Sequence, residues 1–119
     1  MTEMRMFHNT HCSKSRAALE TLQDKGVDAQ IVDYTKVPLT RVQLIDLLGK
    51  LEDPPSALVR RDEAFTKAGL TDADVQTVDQ VATVLADHPG LMERPVLVRG
   101  DRAIIGRPAE RVSAFLAEE

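Results

Sequence analysis

A chain of 119 residues with 43% apolar and 29% charged side chains has the length and composition of one globular domain able to bury its own core. The net charge of −4 gives no broad basic field for holding phosphates non-specifically, so nucleic acid is not an expected partner. The single cysteine excludes an internal disulfide, and no apolar run nears the ~20 residues of a membrane span or resembles a signal-peptide core.

The first expected strand covers 4–8 (MRMFH). A helix over 13–25 follows, with Ala18, Leu19 and Leu22 on one face and Gly26 as its stop. QIVD at 30–33 reads as a short strand. Strand, helix and strand with short connections predict a right-handed βαβ unit with parallel strands. The middle is helical. Thr40 and Gln43 form a T-x-x-Q capping box, Leu39 staples onto Leu44, and Val42, Ile45, Leu48 and Leu51 carry the apolar stripe up to Pro54-Pro55. Short helical turns are expected over 56–60 and 63–68. Thr77 and Gln80 open a further capped helix burying Val78, Val81, Ala82 and Leu85, closed by Pro89-Gly90. The last third changes period: strands over 96–98 and 103–105 flank the Gly100-Asp101 turn. Pro108 fits the first turn of a closing helix that turns Val112, Phe115 and Leu116 inward. The fold class this order predicts is α/β, a thioredoxin-like β-α-β … β-β-α sheet, with an enlarged helical insertion at about 40–88 in one domain spanning 1–119.

Cys12 lies at the junction of the first strand and helix, at or beside the helix N-cap. Unsatisfied N–H groups there favour an anion, and so favour thiolate over thiol. Lys14, Arg16 and a protonated His8 would add positive charge, and Ser13 and Ser15 can donate to sulfur. Most lone cysteines are small buried hydrophobes, but two histidines, two serines, Lys14 and Arg16 within four residues are a poor apolar site. His8, His11 and Cys12 are too few and too close for a zinc site. Position 15 is Ser, so there is no C-x-x-C dithiol. Position 18 is Ala, so there is no C-x5-R phosphate loop.

H-N-x-x-C-S-K-S-R at 8–16, S-A-L-V-R ending at Arg60, P-G-L-M-E-R-P-V-L-V containing Arg94-Pro95, and I-G-R-P containing Arg107-Pro108 occur in that order. Together they resemble the glutaredoxin-linked arsenate reductases over nearly the whole chain. The resemblance implies Cys12 as nucleophile and Arg60, Arg94 and Arg107 as the oxyanion holders. It implies a cis Arg94–Pro95 bond, and it assigns His8 to helping ionise the thiol. Asn9, Ser15 and Arg16 take supporting places in the loop. By themselves these residues have plainer readings too: backbone-bonded His8, local capping by Asn9 and Ser15, and solvated arginines, with Arg61 competing directly with Arg60.

Guanidinium groups would offset the repulsion between a thiolate and an arsenate anion. The resemblance further implies no bound cofactor, glutathione or a similar external thiol as reductant, and a glutaredoxin-like protein to resolve the mixed disulfide. A monomer in the cytoplasm is expected. Two other functions fit the same features: a thioredoxin-like regulator that binds RNA polymerase, and a related thiol reductase acting on another oxyanion or carboxylate-bearing thiol. Ser15 in place of a second thiol, with all three arginines present, favours the arsenate reductase.

Overall fold

The computed structural model describes residues 4–117. Strands β1 (Met4–His8), β2 (Ala29–Asp33), β3 (Val96–Arg99) and β4 (Arg102–Ile105) form one sheet in the order β2-β1-β3-β4. β1 pairs parallel with β2 through helix α1 (Ser13–Asp24) and antiparallel with β3, which pairs antiparallel with β4. The helical middle comprises α2 (Arg41–Lys50), α3 (Glu63–Lys67) and α4 (Val78–Asp87), with short 3-10 turns between and after them, and α5 (Ala109–Ala117) closes the chain. No described helix is long and apolar enough to cross a membrane.

Strand pleating divides the core into two halves. Met4, Met6, Leu97 and Ile104 point to one face, where Ala18 and Leu22 of α1 and Val112 and Phe115 of α5 cover them. Phe7, Val96, Val98, Ala103 and Ile105 point to the other, beneath Leu44, Leu47 and Leu48 of α2 and Val81, Ala82 and Leu85 of α4. β1 is interior and covered on both faces, which explains why Phe7 is buried as well as Met4 and Met6 and why MRMFH alternates only loosely.

Both capping boxes form: Thr40 with Gln43 and Thr77 with Gln80. The stripe of α2 differs from expectation. Val42 is 76% exposed, and the inward row is Leu44, Leu47 and Leu48, with Leu51 beside it. The i, i+3, i+4, i+7 spacing of these leucines follows the helical period, whereas the expected Val42, Ile45, Leu48, Leu51 row, spaced by threes, drifts around the helix.

Two devices fix the end of the sheet that carries the thiol loop's neighbours. At the outer edge of β4, Glu52 N–H donates to Ala103 O (2.8 Å), and the Asp53 carboxylate accepts Ile105 N–H (3.0 Å) while pairing with Arg111 of α5 (2.7 Å). This covers an edge that would otherwise be open. Past β4, Gly106 N–H donates to Pro95 O (2.8 Å). A Cβ on Gly106 would lie 3.0 Å from Pro95 Cγ and 3.0 Å from Val112 Cγ2. Gly106→Ala should therefore lower stability by about 1–3 kcal/mol through overpacking. A denaturant midpoint that drops with unchanged slope is the expected measurement.

Candidate functional site

The loop between β1 and α1 is built from its own polar groups. Asn9 O accepts the Cys12 N–H (3.0 Å), and Asn9 Oδ1 accepts the His11 N–H (2.9 Å). Ser15, fully buried, accepts the Asn9 N–H on its hydroxyl (3.1 Å). Cys12 is the N-cap residue in extended conformation, and its carbonyl starts the helix by accepting the Arg16 N–H (3.0 Å). Asn9 and Ser15 thus shape the loop, with the Ser15 hydroxyl engaged by the Asn9 N–H.

Three distant segments are tied to one another, and the one that carries Arg107 reaches the thiol of this loop. The 58–60 segment is clamped to 91–93 by a two-rung ladder: Arg60 N–H to Leu91 O (2.7 Å) and Glu93 N–H to Leu58 O (2.7 Å), around a Val59–Met92 bridge. This sets Arg60 beside Glu93, with 3.8 Å from its Nε to Glu93 Oε1. Arg61 is committed elsewhere, to Asp72 (2.7 Å) and to the carbonyls of Ser56 and Val59. The Arg94–Pro95 peptide, at the entry to β3, is cis. Arg107 follows β4 and Gly106. Its Nε donates to Arg94 O (2.7 Å), and its Nη2 donates to Cys12 Sγ (3.3 Å). The Arg107–Pro108 peptide is also cis, and Pro108 precedes α5 instead of occupying its first turn.

Arg94 is the least committed of the three arginines. Among the described residues its buried Nε has no hydrogen-bond partner, and its Nη1 makes a long contact to Gly90 O (3.5 Å). A guanidinium has five donors, so most of those on Arg94 remain available to an anion beside Cys12.

The electrostatics favour a thiolate. Burial of the sulfur opposes ionisation, but the Ser15 backbone N–H, the Arg94 side chain and the Lys14 backbone N–H outweigh it, and the thiol is held below its ordinary value. Arg107 and Arg94 divide the work: Arg107 makes the hydrogen bond of good geometry, and Arg94 acts through its charge as well.

His8 ends β1 in register with Asp33 and is only 4% exposed, and its Nδ1 has no hydrogen-bond partner among the described residues. Burial is the main cause that lowers its proton affinity. Asp33 opposes that shift and Arg16 adds to it. The imidazolium that would have added charge near the thiol is thereby disfavoured. Arg16 is exposed on the first turn of α1.

Two residues that the sequence reading did not single out also belong to the site. Tyr34, the only tyrosine, is buried where the chain leaves β2, and its hydroxyl donates to Met92 O (3.3 Å). Burial pushes the phenol up despite the nearby Arg94 and Asn9, so it stays protonated. Glu93 lies between arginines, with 3.5 Å from Arg107 Nε to Oε1 and 3.2 Å from Arg94 N–H to the same oxygen. Its signal was present as the lone acid in PGLMERPV, and Tyr34's as the one polar aromatic in an aromatic-poor chain.

A sheet of this order, with a thiol opening α1 and a cis-proline leading into β3, defines a thioredoxin-like α/β protein, here carrying a guanidinium-lined thiol. Comparisons with known proteins narrow the class. The model of the ArsC family matches residues 7–115, so this chain belongs to the ArsC family. An arsenate reductase of Neisseria meningitidis is 36% identical over 118 residues, covering 98% of this chain and all of that protein. An arsenate reductase of Escherichia coli K12 is 30% identical over 119 residues, covering 99% of this chain and 84% of that protein. The solved arsenate reductase from Vibrio cholerae superposes with a TM-score of 0.82 at 30% identity, over 95% of this chain and 97% of that one.

Proposed function

We propose that this protein reduces arsenate to arsenite through Cys12, with glutathione or a similar thiol as reductant and a glutaredoxin-like protein to regenerate the cysteine. The observation that carries the reading is the 3.3 Å hydrogen bond from Arg107 Nη2 to Cys12 Sγ. It couples the thiol directly to the arginine set. An arsenate anion would bind Arg94, Arg107 and Arg60 at the opening of α1, where the same positive field that favours the thiolate offsets its repulsion with the substrate.

The cycle balances as follows. Cys12 Sγ attacks arsenic, an As–S bond forms, and a hydroxyl on arsenic takes up a proton and leaves as water. The sulfur of an external thiol then attacks Cys12 Sγ. An S–S bond forms, and the As–S bond breaks with its electron pair on arsenic. As(V) becomes As(III) and departs as arsenite. The mixed disulfide on Cys12 has no second cysteine in this sequence to resolve it, so two electrons come from an external dithiol protein. No bound cofactor enters the cycle, and the reducing thiol pool it needs is that of the cytoplasm.

The test is arsenate-dependent oxidation of glutathione in the presence of glutaredoxin, with arsenite measured as product. Arsenite formed in proportion to thiol oxidised is the expected result. Turnover supported by thioredoxin but not by glutaredoxin would overturn the choice of partner. Absence of turnover with every thiol donor would overturn the arsenate reading itself.

A further inference from the structure

The proposed cycle uses three guanidiniums and a thiolate but gives no task to the carboxylate set among them. Glu93 Oε1 lies 3.5 Å from Arg107 Nε and 3.8 Å from Arg60 Nε, and it accepts the Arg94 N–H at 3.2 Å. Arg107 in turn donates to the Cys12 sulfur. A negative group has thus been placed against two of the guanidiniums assigned to hold an anion and on the backbone amide of the third residue. If these arginines served only as positive charge, that placement would weaken them.

We propose that Glu93 selects the oxyanion admitted at Cys12, accepting those that carry a proton on oxygen and disfavouring those that carry none. The proposal rests on the reading that Arg60, Arg94 and Arg107 hold an oxyanion. The contacts of Glu93 close on Oε1. Oε2 accepts no hydrogen bond from any described residue, and the side chain keeps 21% of its surface exposed. An ionised carboxylate is acceptor-only, so a ligand oxygen presented to Oε2 must bring the hydrogen. Near neutral pH arsenate and phosphate each retain at least one O–H. Sulfate has the same tetrahedral shape and a similar charge, but no proton. Arginine donors see three comparable anions; the carboxylate sees two that can donate and one that sets lone pair against lone pair. A glutamine at this place could turn its NH2 to an unprotonated oxygen, so the carboxylate is the feature that discriminates.

The experiment measures protection of Cys12 from alkylation by iodoacetamide, with inorganic phosphate or sulfate as the protecting anion. For the wild-type protein the half-protecting concentration of sulfate should exceed that of phosphate by roughly tenfold or more. In Glu93→Gln the two should converge to within about twofold, chiefly because sulfate protects better. Equal protection by both anions in the wild type overturns the proposal and leaves the oxyanion site standing. So does a variant in which both anions weaken in parallel with their ratio unchanged, which is what a mere brace for the arginines would give. Failure of both anions to protect the wild type overturns the oxyanion site itself, and this proposal with it. Equal protection in the wild type needs no variant to read, so the proposal can fail even if Glu93→Gln does not fold, and Glu93→Ala then serves as the second variant for the ratio.

Discussion

Cys12→Ser should cut arsenate turnover by about 10⁴-fold or more, to the level of the thiol reagents alone. The substitution changes one atom at the N-cap of α1. Nothing in the packing requires sulfur there: Cys12 is only partly buried, and its backbone hydrogen bonds, to Asn9 O and from Arg16 N–H, are independent of the side chain. Serine is also a preferred N-cap residue. The thermal midpoint should therefore stay the same or rise slightly. Chemistry is lost for a separate reason. The influences of Ser15, Lys14 and Arg94 that hold the thiol below its ordinary value act on a group that already ionises near neutrality. A hydroxyl starts many units higher, and the same field cannot bring it into range. An alkoxide would also lack the electron pair transfer that a disulfide permits, so no mixed-disulfide intermediate can form. Mass spectrometry after incubation with arsenate and glutathione should find the glutathione adduct on the wild type and none on the variant. Turnover surviving in Cys12→Ser would mean that the reacting sulfur is never on this chain.

What was legible in the sequence follows from how local each signal is. The capping boxes at Thr40 and Thr77 are closed by residues three apart, so the starts of α2 and α4 could be read directly. The thiol's place at the head of α1 was equally local, because a β-to-α change of period brackets it. Val42 shows the limit. A row spaced by threes through Val42 shares Leu48 with the true helical row, and the packed core holds Leu44 and Leu47 in place of Val42.

The site was legible in its composition but not in its wiring. Arg60 and Arg61 are indistinguishable by type; the ladder between 58–60 and 91–93 separates them, and that pairing spans more than thirty residues of sequence. Glu93 and Tyr34 went unnoticed because their partners lie far away in the chain: Arg60 and Arg107 for the first, Met92 for the second. The second cis bond, before Pro108, likewise depends on tertiary surroundings that no local pattern encodes.

Arg94→Ala should lower kcat/KM by about 10²–10³-fold, and Arg94→Lys should recover the thiol's acidity without recovering most of that loss. Arg94 touches both halves of the reaction. As a charge it is one of the causes that lower the Cys12 pKa. As a fork it has a buried Nε without a partner among the described residues and one long contact at Nη1, so its donors are free to grip two oxygens of a tetrahedral anion. The two roles separate in a pH titration. The rate of alkylation follows the thiolate fraction, so in the wild type it rises through a midpoint below that of an ordinary cysteine. Removing Arg94 raises that midpoint: alkylation near neutral pH slows, and raising the pH restores it. Lysine returns a positive charge and brings the midpoint back down. Its ammonium is a point donor on a flexible stem and cannot reproduce the planar two-toothed grip, so KM for arsenate should stay high in Arg94→Lys while the alkylation profile returns toward wild type. Equal rescue of both by lysine would show that Arg94 supplies charge alone. An unchanged alkylation midpoint in Arg94→Ala would leave the helix N–H groups of Ser15 and Lys14 as the source of the thiol's acidity.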